Sequence, residues 1–256
     1  MKSSKPANLR VSGAGCSTPS LDDVMSDGLL DNPVLAALNY AQDQLGRCSE
    51  RAAVYHPDVS PLAGVSEPLP AALRELAQLV PVGSGVGVVH IEAGLPELPE
   101  WRPIQVVCLH QMVCEEPFAE AEEFDDLSLS DVADMLELAQ ATDPGPFLKR
   151  TIEMGRYVGV RRNGRLVAMA GERMKPPGWV EISGVCTHPD GRGHGYASRL
   201  VVALLKDCFA TGQRAFLHVR EGSSSEARAT AIYERLGFRH RRDMFGHFLQ
   251  RTDANP

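Results

Sequence analysis

VCTHPDGRGHGYASRL, residues 185–200, is the stretch whose reading decides the fold. A β-branched run ends at Thr187, His188-Pro189 turns the chain, and Asp190-Gly191-Arg192-Gly193-His194-Gly195-Tyr196-Ala197 opens a helix. Small residues at such a junction let a ligand approach the main chain. The unpaired N–H groups of the first helical turn then face it with roughly +0.5 charge behind them. The segment therefore reads as a cradle for pyrophosphate. Two common phosphate loops do not fit. A dinucleotide fingerprint through Gly191 and Gly193 needs glycine at position 196, where Tyr196 stands, and no Gly-Lys-Ser/Thr closes a P-loop. A plain tight turn is the other reading.

Working outward, the flanking residues describe a regular α/β unit. Ser128 and Asp131 form a capping signal ahead of Val132, Met135, Leu136 and Ala139, which share one helical face. A turn at 143–147 feeds a short helix ending near Met154. Residues 156–162 and 165–173 flank Asn163-Gly164, a hairpin signal, and 179–187 form a third strand. After the glycine-rich loop come a helix ending at Gly212, strand 214–220, helix 224–236 and a strand pair between Phe238 and Gln250. Upstream, 31–46 and 69–80 read as helices, 57–68 as loop, and 85–92 and 104–114 as strands. The glycines at 83, 85 and 87 open no helix and read as a turn into a strand. The whole is expected to be a mixed α/β sandwich around one sheet.

Taken with its neighbours, residues 185–200 resemble the GNAT-type N-acetyltransferases, in the FR47-like branch. The family motif Arg/Gln-x-x-Gly-x-Gly/Ala is matched in order by Arg192, Gly195 and Ala197. The run Ala229-Thr230-Ala231-Ile232-Tyr233-Glu234-Arg235-Leu236-Gly237-Phe238 is similar to its second motif, A-x-x-x-Y-x-x-x-G-F. The resemblance covers about residues 118–251. It implies a mostly antiparallel central sheet with flanking helices, preceded by a smaller α/β region that is either a degenerate half of the same kind or a separate cap. It implies acetyl-CoA as co-substrate, with main chain at Val185 and Thr187 on the pantetheine arm. Cys186 and the loop residues Arg192, Gly193, His194, Gly195, Tyr196 and Ala197 join Ala229 around the cofactor. Arg199 is a further phosphate partner. The family has Asn seven residues before its Tyr, and here Glu226 stands there, which puts one cofactor contact in doubt.

The chemistry narrows the remaining roles. A lysine ε-amine, with a pKa of about 10.4, is neutral in only about one molecule in 2,500 at pH 7, so an amine acceptor needs a base. Glu181 opens the central run Glu181–Thr187 and is the candidate; a surface Glu at a strand end is the alternative. Tyr233 is the candidate acid for the departing thiolate, although Ala229, Ile232, Tyr233 and Leu236 also make one apolar helical stripe. Phe147, Arg150 and Glu153 are placed at the acceptor by chain order alone. The expected activity is direct acetyl transfer from acetyl-CoA to a primary amine on a small molecule or peptide. A catalytically silent acyl-CoA sensor is the rival.

Charge completes the picture. The chain has 26 basic and 33 acidic residues, net −7; residues 1–116 hold 7 and 14 of them, and residues 117–256 hold 19 and 19. An acidic chain gives no general footprint for nucleic acid or anionic membrane, while the neutral, arginine-rich second half leaves room for an anionic cofactor. If the acidic half faces the acceptor, a cationic amine is its natural guest. No apolar window approaches a membrane span and no secretory signal is evident. Six cysteines without a C-x-x-C pair read as reduced cytoplasmic thiols. The eight histidines lack H-x-x-x-H spacing, so no metal is expected. The expected organisation is a disordered leader at 1–20, an α/β region of open role at 21–116, with a homodimer contact one role for it, and the acyltransferase domain at 117–256.

Overall fold

The computed structural model describes residues 27–116 and 122–253. The expected leader at 1–20 lies outside the described residues, as does the start of the expected second domain. Among the described residues eleven strands form one sheet in the order β1-β2-β3-β4-β11-β5-β10-β9-β8-β7-β6. They are β1 (Gly46–Cys48), β2 (Ala52–Tyr55), β3 (Leu62–Val65), β4 (Gly85–His90), β5 (Trp101–Cys114), β6 (Asp125–Asp126), β7 (Tyr157–Arg162), β8 (Arg165–Glu172), β9 (Trp179–Thr187), β10 (Arg214–Arg220) and β11 (Arg239–Arg251). Only β3–β4 and β9–β10 are parallel. A mixed, mostly antiparallel sheet flanked by helices is what the sequence implies.

Among the described residues the α-helices are α1 (Pro33–Asn39), α2 (Pro70–Leu79), α3 (Val132–Thr142), α4 (Tyr196–Ala210) and α5 (Glu226–Arg235). Proline at the first position of α1 and α2 suits a turn whose N–H has no helical acceptor. Helix α2 buries Ala72, Leu73, Leu76 and Ala77, and α4 buries Leu200, Val201, Leu204, Leu205 and Cys208, each a stripe at helical spacing. At the start of α3 the Ser128 N–H donates to Asp131 Oδ2 at 2.8 Å, as the capping signal requires.

Three elements differ from the sequence reading. The expected helix at 31–46 stops at Asn39 and gives way to a 3-10 turn and strand β1. The expected loop at 57–68 contains β3, whose four residues are all buried. The strand pair expected between Phe238 and Gln250 is one long strand, β11, with an irregularity at Arg241 where a turn would have been needed. Strands this short or this uniformly buried carry no alternation to read.

The two halves of the chain run through the same order: a helix, three antiparallel strands, a helix, a parallel strand, then a final strand. The final strands are exchanged. β5 lies between β11 and β10, and β11 lies between β4 and β5, with β5 and β11 paired over most of their length. The first half differs where chemistry would sit. Its β3-to-α2 junction, Ser66-Glu67-Pro68-Leu69, has no glycine, and residues 91–100 hold no helix where the second half has α5.

Because β10 takes one of its two partners from the first half, a fragment beginning at residue 122 leaves two central edges open. Such a fragment should associate or unfold without a cooperative transition, as followed by circular dichroism and sedimentation; a folded, cooperative monomer would contradict the exchange.

Candidate active site

The site begins where two parallel strands part. β9 and β10 are in register at Trp179 with Arg214, Val180 with Ala215 and Glu181 with Phe216, and no further pairs form. Beyond Glu181, β9 stays with β8 and β10 stays with β5, so a wedge opens between them. On β9 the ladder also slips. Ser183 pairs Gly171 and Cys186 pairs Met169, so Gly184 and Val185 are accommodated in a bulge. Gly184 has φ +63°, and a side chain there would approach the Tyr157 ring. Bulges re-aim the chain next to functional sites, and this one turns Val185 into the wedge.

One cavity, of about 420 Å³, lies on the α4 side. Val185, Cys186, Thr187, Arg192, Gly193, Gly195, Tyr196, Ala197 and Ala229, all named from the sequence, line it together. Gly193 and Gly195 have φ of +80° and +70°, the second capping α4 in the left-handed region. The first intrahelical bond of α4 runs from the Arg199 N–H to the Gly195 carbonyl, which leaves the preceding N–H groups for a ligand. The Thr187 hydroxyl is buried in this wall with no hydrogen-bond partner among the described residues.

Three residues behave differently from expectation. His194 is outside the lining; its ring stacks on Tyr196 at 5.3 Å and Nδ1 lies 2.9 Å from the Arg192 carbonyl. Arg199 is held by Glu122, at 2.8 Å through Nε, and lies over the Phe124 and Tyr196 rings. Glu226 caps its own approach, accepting the Gly222 N–H at 2.7 Å, with His110 Nε2 at 3.4 Å. Arg228 and Ser225 line the cavity instead. Their position one helical turn or less before Ala229 was the available signal.

A second cavity, of about 250 Å³, lies on the other side of the wedge. Val185, Ala229, Ser225, Tyr233, Asp143 and Pro144 line both cavities, so the two meet there. The first half contributes Leu62, Gly87, Val89, Val107 and Leu109, all apolar or glycine. Its acidity is therefore not directed at this cavity. The acceptor residues expected from chain order are elsewhere: Phe147 is buried against Tyr157, and Arg150 pairs with Glu153 at 2.7 Å. The preceding turn, residues 143–146, takes their place in the wall.

Glu181 forms the polar end of this cavity, together with Arg173 and His218. It is fully buried. Arg173 donates to both carboxylate oxygens, at 2.6 and 2.7 Å, and His218 Nδ1 lies 2.8 Å from Oε1. Burial opposes ionisation, but the charge and hydrogen bonds of Arg173, with the bond from His218, outweigh it and lower the pKa to about 2. His218 Nε2 lies 3.2 Å from Gln111 Nε2, an amide nitrogen, so Nε2 is the acceptor and Nδ1 carries the proton toward Glu181. His218 went unread in the sequence, because its partner is 37 residues away on the adjoining strand. Tyr233 is the other titratable group at the junction. Burial, with a smaller contribution from Cys186, raises its hydroxyl to about 12, so it is protonated at neutral pH. The Cys186 thiol is likewise pushed up by burial, to about 11.

Comparison with known proteins agrees with this geometry. A model of the FR47-like protein family matches residues 157–245. A solved structure from Novosphingobium aromaticivorans, assigned to the GNAT family of acetyltransferases, is 37% identical, covering 87% of this chain and 98% of its own with a TM-score of 0.78. The chain belongs to the GNAT family. It is an acyltransferase of that family, and the fold implies acetyl-CoA as co-substrate. Two more distant structures share the fold. A GCN5-related N-acetyltransferase from Kribbella flavida is 18% identical over 86% of this chain and 95% of its own, with TM-score 0.55. A conserved protein of unknown function from Staphylococcus epidermidis is 13% identical over 80% and 93%, with TM-score 0.51. No curated protein matches the sequence. Among the described residues, no helix of this GNAT protein is long and apolar enough to cross a membrane.

The Glu181 ion pair has a measurable signature. A carboxylate with a lowered folded-state pKa stabilises the fold fully above its ordinary value of 4.5, and that stability is lost as pH falls toward 2. Glu181→Gln should unfold at lower denaturant at pH 7, by about 3 kcal/mol because Arg173 is left buried without its counter-charge. Its stability should also change less between pH 4.5 and 2 than that of the parent chain. Equal stability of the two proteins at pH 7 would contradict the ion pair.

Proposed function

We propose that the protein is an N-acetyltransferase that moves the acetyl group of acetyl-CoA directly to a primary amine at the junction of the two cavities. The observation that carries the reading is that junction: Val185, Ala229 and Tyr233 face both a glycine-walled cavity and a separate, mostly apolar one. The first cavity suits the cofactor. The free N–H groups at the start of α4, with Arg192 and Arg228, supply the charge and donors that a pyrophosphate needs. The unpartnered Thr187 hydroxyl and the bulged main chain at Val185 offer hydrogen bonds to an amide-rich pantetheine arm. The second cavity takes the acceptor, an amine on an apolar body, carried by a small molecule or a peptide end.

The steps follow from the groups present. The neutral amine attacks the thioester carbonyl carbon, whose oxygen is polarised by main-chain N–H near Val185, as oxyanion donors do. The tetrahedral adduct then expels the thiolate, and the Tyr233 hydroxyl, held protonated by burial, returns a proton to sulfur. The amine gives up its proton at the polar end of the acceptor cavity. Glu181 was the base expected from sequence, but a carboxylate gripped by Arg173 with a pKa of about 2 is a poor resting place for a proton. Its partner His218 is the better one: Nδ1 is held by Glu181, and Nε2 can take the amine proton in exchange for its bond to the Gln111 amide. Glu181 is then a positioning residue and His218 the base. Cys186, kept as a thiol by burial, is not a nucleophile, which favours transfer without a covalent enzyme intermediate. The first half is read as a degenerate copy of the same fold that has lost its anion loop and serves as a wall of the acceptor cavity. Reduced cysteines fit a cytoplasmic protein, and nothing in the charge distribution calls for nucleic acid or a membrane.

Thiol release from acetyl-CoA, followed across a panel of amines, amino acids and peptides beside calorimetry of acetyl-CoA binding, tests the reading. Release that depends on an amine is expected; tight binding without release on any acceptor would make the protein a silent acyl-CoA sensor, and no binding would remove both readings. Tyr233→Phe and His218→Gln should each lower kcat by about 10²-fold with little change in acetyl-CoA affinity. Cys186→Ala should keep kcat within about threefold.

A further inference from the structure

We infer that the protein holds a zinc-type divalent metal ion at a second site, on the face of β5 and β11 turned away from the acceptor cavity. Cys108 and His110 alternate along β5 with Val107 and Leu109, which line that cavity, so the two polar residues project from the opposite face. Asp243 of β11 is in register with His110, which puts both side chains on one face. The Sγ of Cys108, a ring nitrogen of His110 and a carboxylate oxygen of Asp243 all lie within 4.8 Å of one another.

A fourth residue reaches the group through a backbone irregularity. His240 and Asp243 are three apart and would point to opposite faces of a regular strand. The register slips between His240 and Arg242, so Arg241 is the extra residue, and His240 Nε2 comes to 2.9 Å from Asp243 Oδ1. The ring centroids of His110 and His240 are 5.9 Å apart. The thiol, imidazole and carboxylate thus share a half-exposed patch that ions can enter, and the bulge sets a second imidazole, His240, beside the carboxylate.

The donor set selects the metal class. Mixed sulfur, nitrogen and oxygen donors suit zinc or a similar borderline ion, and disfavour magnesium and calcium. His110 Nδ1 lies 2.8 Å from Asp243 Oδ1, and a tetrahedral ion between them needs a separation of about 3.3 Å at ordinary bond lengths, a small outward movement of two surface side chains. In the chain without metal that gap is bridged by a proton. Binding needs a free Nδ1 and a Cys108 thiolate, so the Nδ1 proton moves to Nε2 and the thiol proton leaves as the ion enters. With Nδ1 on the metal, His110 Nε2–H faces the Glu226 carboxylate at 3.4 Å, the outer partner that orients metal-bound imidazoles. Glu226 begins α5, whose Ala229 and Tyr233 line the reaction junction, so the ion would tie β5 and β11 to that wall. Histidine spacing could not reveal the site, since its ligands come from strands about 130 residues apart.

The full chain, stripped with a chelator, should bind one equivalent of Zn²⁺ by calorimetry, and Co²⁺ should give a thiolate-to-cobalt charge-transfer band. Cys108→Ser should abolish the band, and both Cys108→Ser and Asp243→Asn should weaken Zn²⁺ binding by about tenfold or more, with circular dichroism unchanged. Cys48→Ser, a control at an exposed cysteine away from the group, should leave both readouts intact. Absence of stoichiometric binding, retention of affinity in either Cys108→Ser or Asp243→Asn, or an equal loss in Cys48→Ser would overturn the assignment.

Discussion

Burying the carboxylate of Glu181 is tolerable only because Arg173 grips both of its oxygens and His218 meets one of them. The residue stands at the last pair of the parallel β9–β10 ladder, where continued pairing gives way to a wedge. Main-chain bonds tie the same point to the neighbouring loop: the Arg173 N–H donates to the Glu181 carbonyl, and the Glu181 N–H donates to Met174. The ion pair is therefore both the crotch of the fork and the polar end of the second cavity. Replacing it by an apolar packing would be no great loss of stability, but it would remove the polar end of the cavity and the group that orients His218.

The exchange of final strands explains why a catalytic unit of this kind carries a first half without motifs. β10 forms one arm of the wedge, and its outer partner is β5, from the first half. β11 crosses in the other direction and brings Gly246 and Phe248 to the cavity beside Leu62, Gly87 and Val89. Neither half alone supplies the lining of the second cavity. The described first half has neither the glycine loop nor the last helix, but it has the three strands and parallel neighbour that form a wall. Its contribution to the second cavity is apolar or glycine, so its acidic residues do not line that cavity.

Local chemistry was legible in the sequence, and long-range geometry was not. The cradle at Gly193–Ala197 could be read because glycines in the left-handed region and a helix start lie together in the chain. Tyr233 could be read because its motif is one helix. β1 to β3 escaped, being too short and too buried to show a period. The role of Glu181 was half visible: its place at the wedge follows from the strand, while its capture by Arg173 and His218 depends on contacts across the sheet. The Arg199 side chain is held by Glu122, 77 residues away, a contact that the local sequence does not show. Phe147, Arg150 and Glu153 were placed by chain order, and the turn at Asp143–Pro146 reaches the wedge before them.

Amide hydrogen exchange with and without acetyl-CoA tests most directly whether the cofactor lies in the wedge of the second half. Protection should appear at Val185–Thr187 and at Gly193–Ser198, where free N–H groups await a ligand, and the β3-to-α2 junction at Ser66–Leu69 should be unchanged. Protection at that junction, or none along the start of α4, would contradict the assignment of the cofactor to this site.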